Sequence, residues 1–197
     1  MISQHAASVM GIDILPEEIE LARADGHDIE LGDAETYLAT KAVDVVFAGD
    51  LVEHLSNPGR FLSCSFENLV DDGLLVLCTP NTYSFAKMVR VLIYRTNEPP
   101  VNPEHTCYYT PKTLAHLAFR HGFRLSAVSY CDLAYTPGHG TLGKRVQLAV
   151  NRLLSRIAPR FSQTMVVTFE KMPTGTHEPE TTWEESGLTS TSLRRER

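Results

Sequence analysis

Residues 42–55 read AVDVVFAGDLVEHL, and the interpretation of the whole chain starts from this stretch. The apolar run over residues 42–46 is typical of a strand buried on both faces of a sheet. Small and charged residues follow where a helical pattern begins. In open α/β sheets, ligands bind beyond the carboxyl ends of the strands. We therefore expect a functional site around Asp50, Glu53 and His54, although the start of a surface helix also favours Asp.

The same alternation of strand and helix patterns continues on both sides of this stretch. Apolar runs predict further strands at residues 8–14, 27–31, 74–78, 123–131 and 163–171. Patterns of helical spacing and capping predict helices at residues 15–26, 35–40, 57–69, 84–94 and 111–121. This order indicates βαβ units, and hence an α/β fold with a doubly wound, mainly parallel sheet. The last strand follows a longer excursion, so an antiparallel orientation is open for it.

Composition narrows the class of protein. The chain has 197 residues, which suits one domain, and its net charge of −6 argues against binding duplex nucleic acid. It has no apolar run near the ~20 residues that cross a bilayer, and its first residues do not resemble a signal peptide. We expect a cytoplasmic protein whose cysteines are free thiols, with no metal cluster among them. The four cysteines are Cys64, Cys78, Cys107 and Cys131.

Two segments near the carboxyl end have a different character. Residues 173–197 are polar and rich in Thr, Glu, Ser and Arg, so we expect residues 1–172 to form the domain and the rest a disordered tail. Residues 144–157 predict a basic amphipathic helix. Its basic face is either solvated over an apolar core or contacts an acidic partner or a membrane surface.

The ordered set of short motifs resembles class I S-adenosylmethionine-dependent methyltransferases, most closely the subgroup with ubiquinone-biosynthesis-type and other small-molecule enzymes. The motifs are Gly11-Ile12-Asp13, Gly32-Asp33-Ala34, residues 50–55, Asp72-Gly73, Thr79-Pro80-Asn81, Glu104-His105 and Tyr109-Thr110-Pro111. The resemblance implies a Rossmann-like fold, S-adenosylmethionine as the cofactor, and methyl transfer to a small-molecule, lipid-precursor or sugar acceptor, most naturally at oxygen.

The resemblance also implies roles for individual residues at the cofactor. Asp13 would accept hydrogen bonds from the ribose hydroxyls and Ile14 would pack on the adenine. Asp33 would accept from the adenine amino group, with the Ala34 amide facing a ring nitrogen. The residues that would line the methionine end are Gly49, Asp50 and Leu51. Alternatively, Asp13 caps a turn and Asp33 forms an Asx turn.

Three interpretations of His54 stay open. It could be the general base that takes a proton from a substrate hydroxyl, or a residue that packs locally. It could also ligate a divalent metal with Asp50 and Glu53, because an acid-x-x-Glu-His set resembles a metal site in ubiquinone-type relatives. We expect no resident metal. Glu104 and His105 belong to a Pro-rich loop that either covers the substrate or is solvated.

One feature of the family is missing from this sequence. The Gly-x-Gly-x-Gly loop that follows the first strand is absent, and we expect a sheet that lacks its first strand and helix. The strands ending at Asp13 and Phe47 must then pair directly or leave an unpaired edge. We expect a late start codon or a gene fragment. The alternatives are a truncated, non-catalytic remnant or binding module, and a different nucleotide-binding α/β protein. The oligomeric state is left open.

Overall fold

The computed structural model describes residues 6–94, 102–132 and 157–173 of the chain. Six strands occur in these residues: β1 (Gly11–Asp13), β2 (Ile29–Leu31), β3 (Val43–Gly49), β4 (Leu69–Pro80), β5 (Phe123–Cys131) and β6 (Thr164–Lys171). Four α-helices accompany them: α1 (Pro16–Ala24), α2 (Pro58–Asn68), α3 (Phe85–Tyr94) and α4 (Pro111–Phe119). The α/β fold class is thereby confirmed. No helix in these residues is both long and apolar enough to cross a membrane.

The strands form two separately hydrogen-bonded sheets. β1 and β2 pair in parallel, with Asp13 opposite Leu31. The other four strands have the order β3-β4-β6-β5, in which β3 and β4 are parallel. β6 is antiparallel to both of its neighbours, so β3, β4 and β5 point in one direction. The antiparallel orientation left open for the last strand is the one observed.

The hydrophobic core lies where α2 and α4 pack on the four-stranded sheet. Its members that are at most 1% exposed are Val52, Leu62, Leu75, Leu77, Leu114, Ala118, Phe123, Met165, Val167 and Phe169. Those that belong to β4 and β6 lie on alternate residues, as expected for strands that present one face to a layer of helices. Burying one such large side chain contributes about 1.5–3 kcal/mol. The core therefore holds β4, β6, α2 and α4 as one unit.

The segment after β2 connects the small sheet to this unit. The Asn57 amide donates to Glu35 Oε1 at 2.8 Å, and the Cys64 thiol donates to the Glu35 carbonyl at 3.3 Å. Further along, the Asn68 side chain accepts from the Ala39 amide and donates to the Tyr37 carbonyl. Contacts with α2 thus position this segment.

Two helical predictions are wrong, and hydrogen bonds from residues distant in sequence give the reasons. Residues 35–40 form a turn after Asp33 and then an irregular segment held by Asn68, rather than a helix. The pattern after Asp50 gives only a turn, in which the His54 amide donates to the Leu51 carbonyl at 2.9 Å. The following carbonyls, of Glu53 and Leu55, accept from Thr106 and so are not available to a continuing helix.

The expectation that the run before Asp50 is buried on both faces is also wrong. Val45 is 50% exposed and Phe47 51% exposed, and Ala48 is the one buried residue of β3. Within the described residues β3 pairs with β4 alone and β1 with β2 alone, so each has an unpaired edge. Of the two arrangements expected for these strands, the structure has the unpaired edges.

Several predicted segments lie outside the described residues. The basic helix over residues 144–157 is one of them apart from Ile157, and the polar tail from residue 173 is another apart from Pro173.

We expect Gly122→Ala to destabilise the fold more than Gly26→Ala. Both glycines have a positive φ, of 88° and 85°, so both substitutions carry the same backbone strain. A Cβ on Gly122 would lie 2.5 Å from the Phe66 ring, whereas nothing lies within 4 Å of one on Gly26. Urea unfolding should show a loss of about 1 kcal/mol for Gly26→Ala and about 2–4 kcal/mol for Gly122→Ala. Equal losses would contradict the packing at Gly122.

Candidate functional site

Two carboxylates follow the ends of the paired strands β1 and β2. Asp13 ends β1, and Asp33 comes two residues after the end of β2. Each Oδ1 accepts from an amide two residues further on: Leu15 N at 2.8 Å from Asp13, and Glu35 N at 2.9 Å from Asp33. Both therefore form the local turns considered as alternatives. Within the described residues each Oδ2 makes no hydrogen bond, so each carboxylate can still accept one from a ligand.

A third carboxylate, that of Asp50, comes directly after the end of β3. Asp50 has a φ of 48°, a left-handed conformation that Asp tolerates better than most residues, and its side chain is exposed. Its amide donates to the Cys78 carbonyl at 2.8 Å and so extends the pairing of β3 with β4. Of the neighbouring residues predicted to line the cofactor, Gly49 is exposed and Leu51 is partly buried against the core.

The buried carboxylate of Glu53 lies in the turn after β3. The side chain is fully buried, and Thr79 donates its hydroxyl hydrogen to Oε2 at 2.8 Å. Thr106 holds the turn from the other side, because its amide and hydroxyl donate to the Glu53 carbonyl at 2.8 and 3.0 Å. The Thr106 hydroxyl also lies 2.8 Å from the Leu55 carbonyl. These contacts join the turn to the loop that contains His105.

Aromatic and basic side chains gather beside Glu53. The His54 and His105 rings meet edge to face with their centroids 4.6 Å apart, and the His105 and Tyr108 centroids are 5.5 Å apart. Lys87 Nζ, from α3, lies 4.3 Å from the centre of the Tyr108 ring. Burial lowers the pKa of Lys87, and the Glu53 carboxylate partly offsets this. The Lys87 ammonium therefore loses its proton at a lower pH than the ammonium of a surface lysine does.

The polar atoms of this cluster are incompletely paired. Three buried side-chain polar atoms make no hydrogen bond within the described residues: Glu53 Oε1, Lys87 Nζ and His105 Nδ1. All three belong to the group of side chains around His54 and Tyr108. Buried polar atoms are nearly always paired, so unpaired ones in a single place point to a ligand, an ion or a water molecule.

The thiol of Cys78 lies at the end of β4, close to Asp50. Burial raises its pKa to about 11, with a further contribution from the Asp50 carboxylate. A thiol with so high a pKa stays protonated near neutral pH and is a poor nucleophile. All four cysteines are free thiols in the structure, as the sequence predicts.

The structure groups the predicted residues differently from the sequence. Glu53, His54 and His105 each offer one potential ligand atom, and these atoms lie within 4.8 Å of one another. Asp50 is not in this group. The Glu104 side chain is exposed, and the Glu104 backbone amide donates to Asn102 Oδ1 at 3.2 Å.

Sequence reasoning gave no role to three residues of the cluster, Lys87, Thr79 and Tyr108. Lys87 occupies an ordinary position in an amphipathic helix pattern, and no local signal distinguishes it. Thr79 belongs to the Thr79-Pro80-Asn81 motif, and its place directly after the apolar run at residues 74–78 is the sequence signal that marks it.

Carboxylates beyond β1 and β2, with a polar cluster beyond β3 and β4, lie where open α/β folds bind their ligands. Residues 1–128 match the family model described as a methyltransferase domain, and the chain belongs to this family. A probable S-adenosylmethionine-dependent methyltransferase of Mycolicibacterium smegmatis is 30% identical over 128 residues. The match covers 64% of this chain and 47% of that relative, so it spans about half of the relative's length.

Solved structures share the fold at low identity. A SAM-dependent methyltransferase of Archaeoglobus fulgidus superposes with a TM-score of 0.56 at 20% identity, over 82% of this chain and 75% of that one. An S-adenosylmethionine-dependent methyltransferase of Mesorhizobium loti superposes with a TM-score of 0.55 at 15% identity, over 86% of this chain and 83% of that one. The [4+2]-cyclase SpnF also superposes, with a TM-score of 0.55 at 16% identity, over 87% of this chain and 70% of that one. The Rossmann-like methyltransferase fold is thereby confirmed, and it also occurs in a protein named for other chemistry.

Thr79→Val should destabilise the domain because it removes the hydrogen-bond donor to a fully buried carboxylate. We expect a loss of about 1–3 kcal/mol in the free energy of unfolding, measured with urea. The control is Thr36→Val, whose exposed hydroxyl makes a 3.4 Å contact and should change stability by less than about 0.5 kcal/mol. Similar values for the two variants would show that the Thr79 contact contributes little.

Proposed function

We propose that this domain binds S-adenosylmethionine beyond the carboxyl ends of β1, β2 and β3 and transfers its methyl group to a hydroxyl of a small molecule. The observation that carries the proposal is the pair of carboxylates at the carboxyl ends of the adjacent parallel strands β1 and β2: Asp13 is the last residue of β1, and Asp33 comes two residues after β2. Each has one oxygen bound by its own turn and one oxygen without a partner in the described residues. Membership of the methyltransferase family supports the same cofactor.

The nucleoside would be held by residues at the ends of β1 and β2. The unbound oxygen of Asp13 accepts from the ribose hydroxyls, and that of Asp33 accepts from the adenine amino group. The Ala34 amide makes no hydrogen bond within the described residues and can donate to a ring nitrogen. Ile14 is 63% exposed and offers an apolar surface for the adenine.

The methionine end would lie near the end of β3, at Gly49, Asp50 and Leu51. Left-handed backbone at Asp50 is a strained feature of the kind that occurs at ligand sites. Bound S-adenosylmethionine supplies a reactive methyl group on a sulfonium sulfur, so the protein contributes mainly alignment and exclusion of water.

His54 is the proposed general base for the acceptor. Its imidazole lies against His105 and next to the buried Glu53, so a hydroxyl that enters the cluster meets proton acceptors on two sides. His54 would take the proton from the acceptor hydroxyl, while bound S-adenosylmethionine would supply the methyl group through cleavage of its carbon–sulfur bond and leave as S-adenosylhomocysteine. His105, in the loop that follows residue 101, contacts the acceptor from the other side. Glu104 is proposed as a further contact at the exposed rim.

A second candidate function is binding without methyl transfer. The observation in its favour is that no Gly-x-Gly-x-Gly segment occurs in the sequence, while β1 and β3 each have an edge that no other described strand pairs with. The two candidates differ in whether methyl transfer accompanies cofactor binding.

Calorimetric titration of S-adenosylhomocysteine into the 197-residue chain tests the cofactor site. We expect binding in the micromolar range, and we expect Asp13→Asn and Asp33→Asn each to weaken it about 10–100-fold, because hydrogen bonds to a charged acceptor are lost. Asn keeps the oxygen that accepts from the local amide. Asp25→Asn, at the opposite end of α1, is the control and should bind like the wild type. A folded chain that binds no S-adenosylhomocysteine contradicts the proposal.

Methyl transfer is measured with methyl-labelled cofactor and a panel of phenols, lipid-precursor phenols and sugars. For an acceptor found in this way, His54→Gln should lower the rate about 10²–10⁴-fold and leave S-adenosylhomocysteine affinity unchanged. His121→Gln is the control, because the His121 imidazole makes an exposed hydrogen bond with Ser63 and does not belong to the group of Glu53, His54 and His105. Cofactor binding without transfer to any of the panel would favour the second candidate function.

A further inference from the structure

We propose that Glu53, His54 and His105 form a binding site for a divalent transition metal. This set differs from the acid-x-x-Glu-His set that the sequence suggested, because His105 takes the place of Asp50. It also replaces our sequence-based expectation of no resident metal. The inference depends on the geometry of the cluster and not on methyl transfer. A metal ion bound to His54 would occupy the imidazole nitrogen that the proposed base uses, so His54 acts as the base only in chains without bound metal.

The three side chains come together from two separate segments that are firmly connected. One potential ligand atom from each residue lies within 4.8 Å of the other two. Ligands held about 2.0–2.2 Å from a tetrahedral ion are roughly 3.4 Å apart, so small side-chain rotations would close the set. Thr106, next to His105, donates to the Glu53 carbonyl and keeps both segments in register.

The unpaired atoms provide an independent observation. Glu53 is fully buried, yet its Oε1 has no partner within the described residues, and the same holds for His105 Nδ1. Leaving a buried polar atom unpaired costs about 1–3 kcal/mol. A cation between them would satisfy an anionic oxygen and an imidazole nitrogen together. Glu53 Oε2 is already held by Thr79, as expected for a ligand oriented by a neighbouring group.

The donor set indicates the kind of metal. Two imidazoles and one carboxylate suit Zn²⁺, Fe²⁺, Co²⁺ or Mn²⁺, whereas Mg²⁺ and Ca²⁺ prefer oxygen ligands. Three protein ligands leave at least one coordination position for water or another ligand, as in catalytic rather than structural sites.

Lys87 Nζ is the third unpaired atom of the cluster, and its positive charge opposes the binding of a metal ion. Its ammonium lies over the Tyr108 ring and close enough to Glu53 to feel the carboxylate. A dication at Glu53 would repel it, so Lys87 should weaken metal binding without preventing it. A water molecule bridging Glu53, Lys87 and His105 would also satisfy all three atoms. This alternative arrangement predicts that the chain has no affinity for metal.

The test uses the full 197-residue chain without an affinity tag, treated with chelator and then dialysed. Zn²⁺ is titrated by calorimetry, and Co²⁺ by the visible absorption that reports coordination by nitrogen. We expect one ion per chain with a Kd of about 1 μM or tighter, and Mg²⁺ at least about 100-fold weaker.

Variants separate this site from other histidines and cysteines. His105→Ala and His54→Ala should each weaken Zn²⁺ binding at least about 10-fold, and Lys87→Met should tighten it. His105→Gln is the second variant if His105→Ala does not fold. His121→Ala and Glu104→Gln are the controls and should bind like the wild type. No stoichiometric binding, or binding unchanged by His105→Ala and His105→Gln, would overturn the proposal and favour a bridging water.

Discussion

The contact on which the candidate site depends is the clamp that Thr106 makes on the turn after β3. Its amide and hydroxyl donate to the carbonyls of Glu53 and Leu55, and these are carbonyls that a helix would have used. The helix that the sequence predicts after Asp50 is therefore replaced by a turn. Because of that replacement, Glu53 lies fully buried beside Thr79 and the loop carrying His105 closes over it. Local helix propensity is a weak preference, and tertiary hydrogen bonds overrule it here.

The division of the strands into two sheets separates the candidate site into two parts. Asp13 and Asp33, which are proposed to hold the nucleoside, follow the two-stranded sheet. The cluster of Glu53, His54 and His105 belongs to the four-stranded sheet and its loops. The hydrogen bonds of Glu35 with Asn57 and Cys64 connect the first part to α2. The geometry within each part is consequently set by local contacts, and their connection by a few side-chain hydrogen bonds.

The sequence predicts the fold well wherever one element's pattern is enough. The strand predicted at residues 123–131 is observed with those bounds, and the helix at residues 84–94 begins one residue later. Asp13 and Asp33 lie at strand ends as predicted, because alternation of strands and helices directly implies those positions. Failures occur where distant residues decide, as at residues 35–40, where Asn68 from α2 holds the backbone.

The same reasoning explains what could be predicted of the polar cluster. Glu53 and His54 are adjacent in sequence, so one pattern predicts a site at both. The sequence also indicates His105, but as part of a Pro-rich loop, since about fifty residues separate it from His54 and no spacing rule joins them. Lys87 comes from a third element and enters only through its contact with Tyr108. A cluster assembled from three segments is invisible to periodicity, which reports on one segment at a time.

The unpaired edge of β3 has a consequence for how the protein behaves in concentrated solution. Among residues 6–94, 102–132 and 157–173 no strand pairs with this edge, and beside the half-exposed Val45 and Phe47 it is a template for pairing with the same edge of another molecule. Natural sheets usually protect such edges with charges, prolines or bulges, and Asp44 is the one charged residue within β3. Self-association through this strand, and its suppression at low protein concentration, should therefore govern the colloidal stability of the isolated chain.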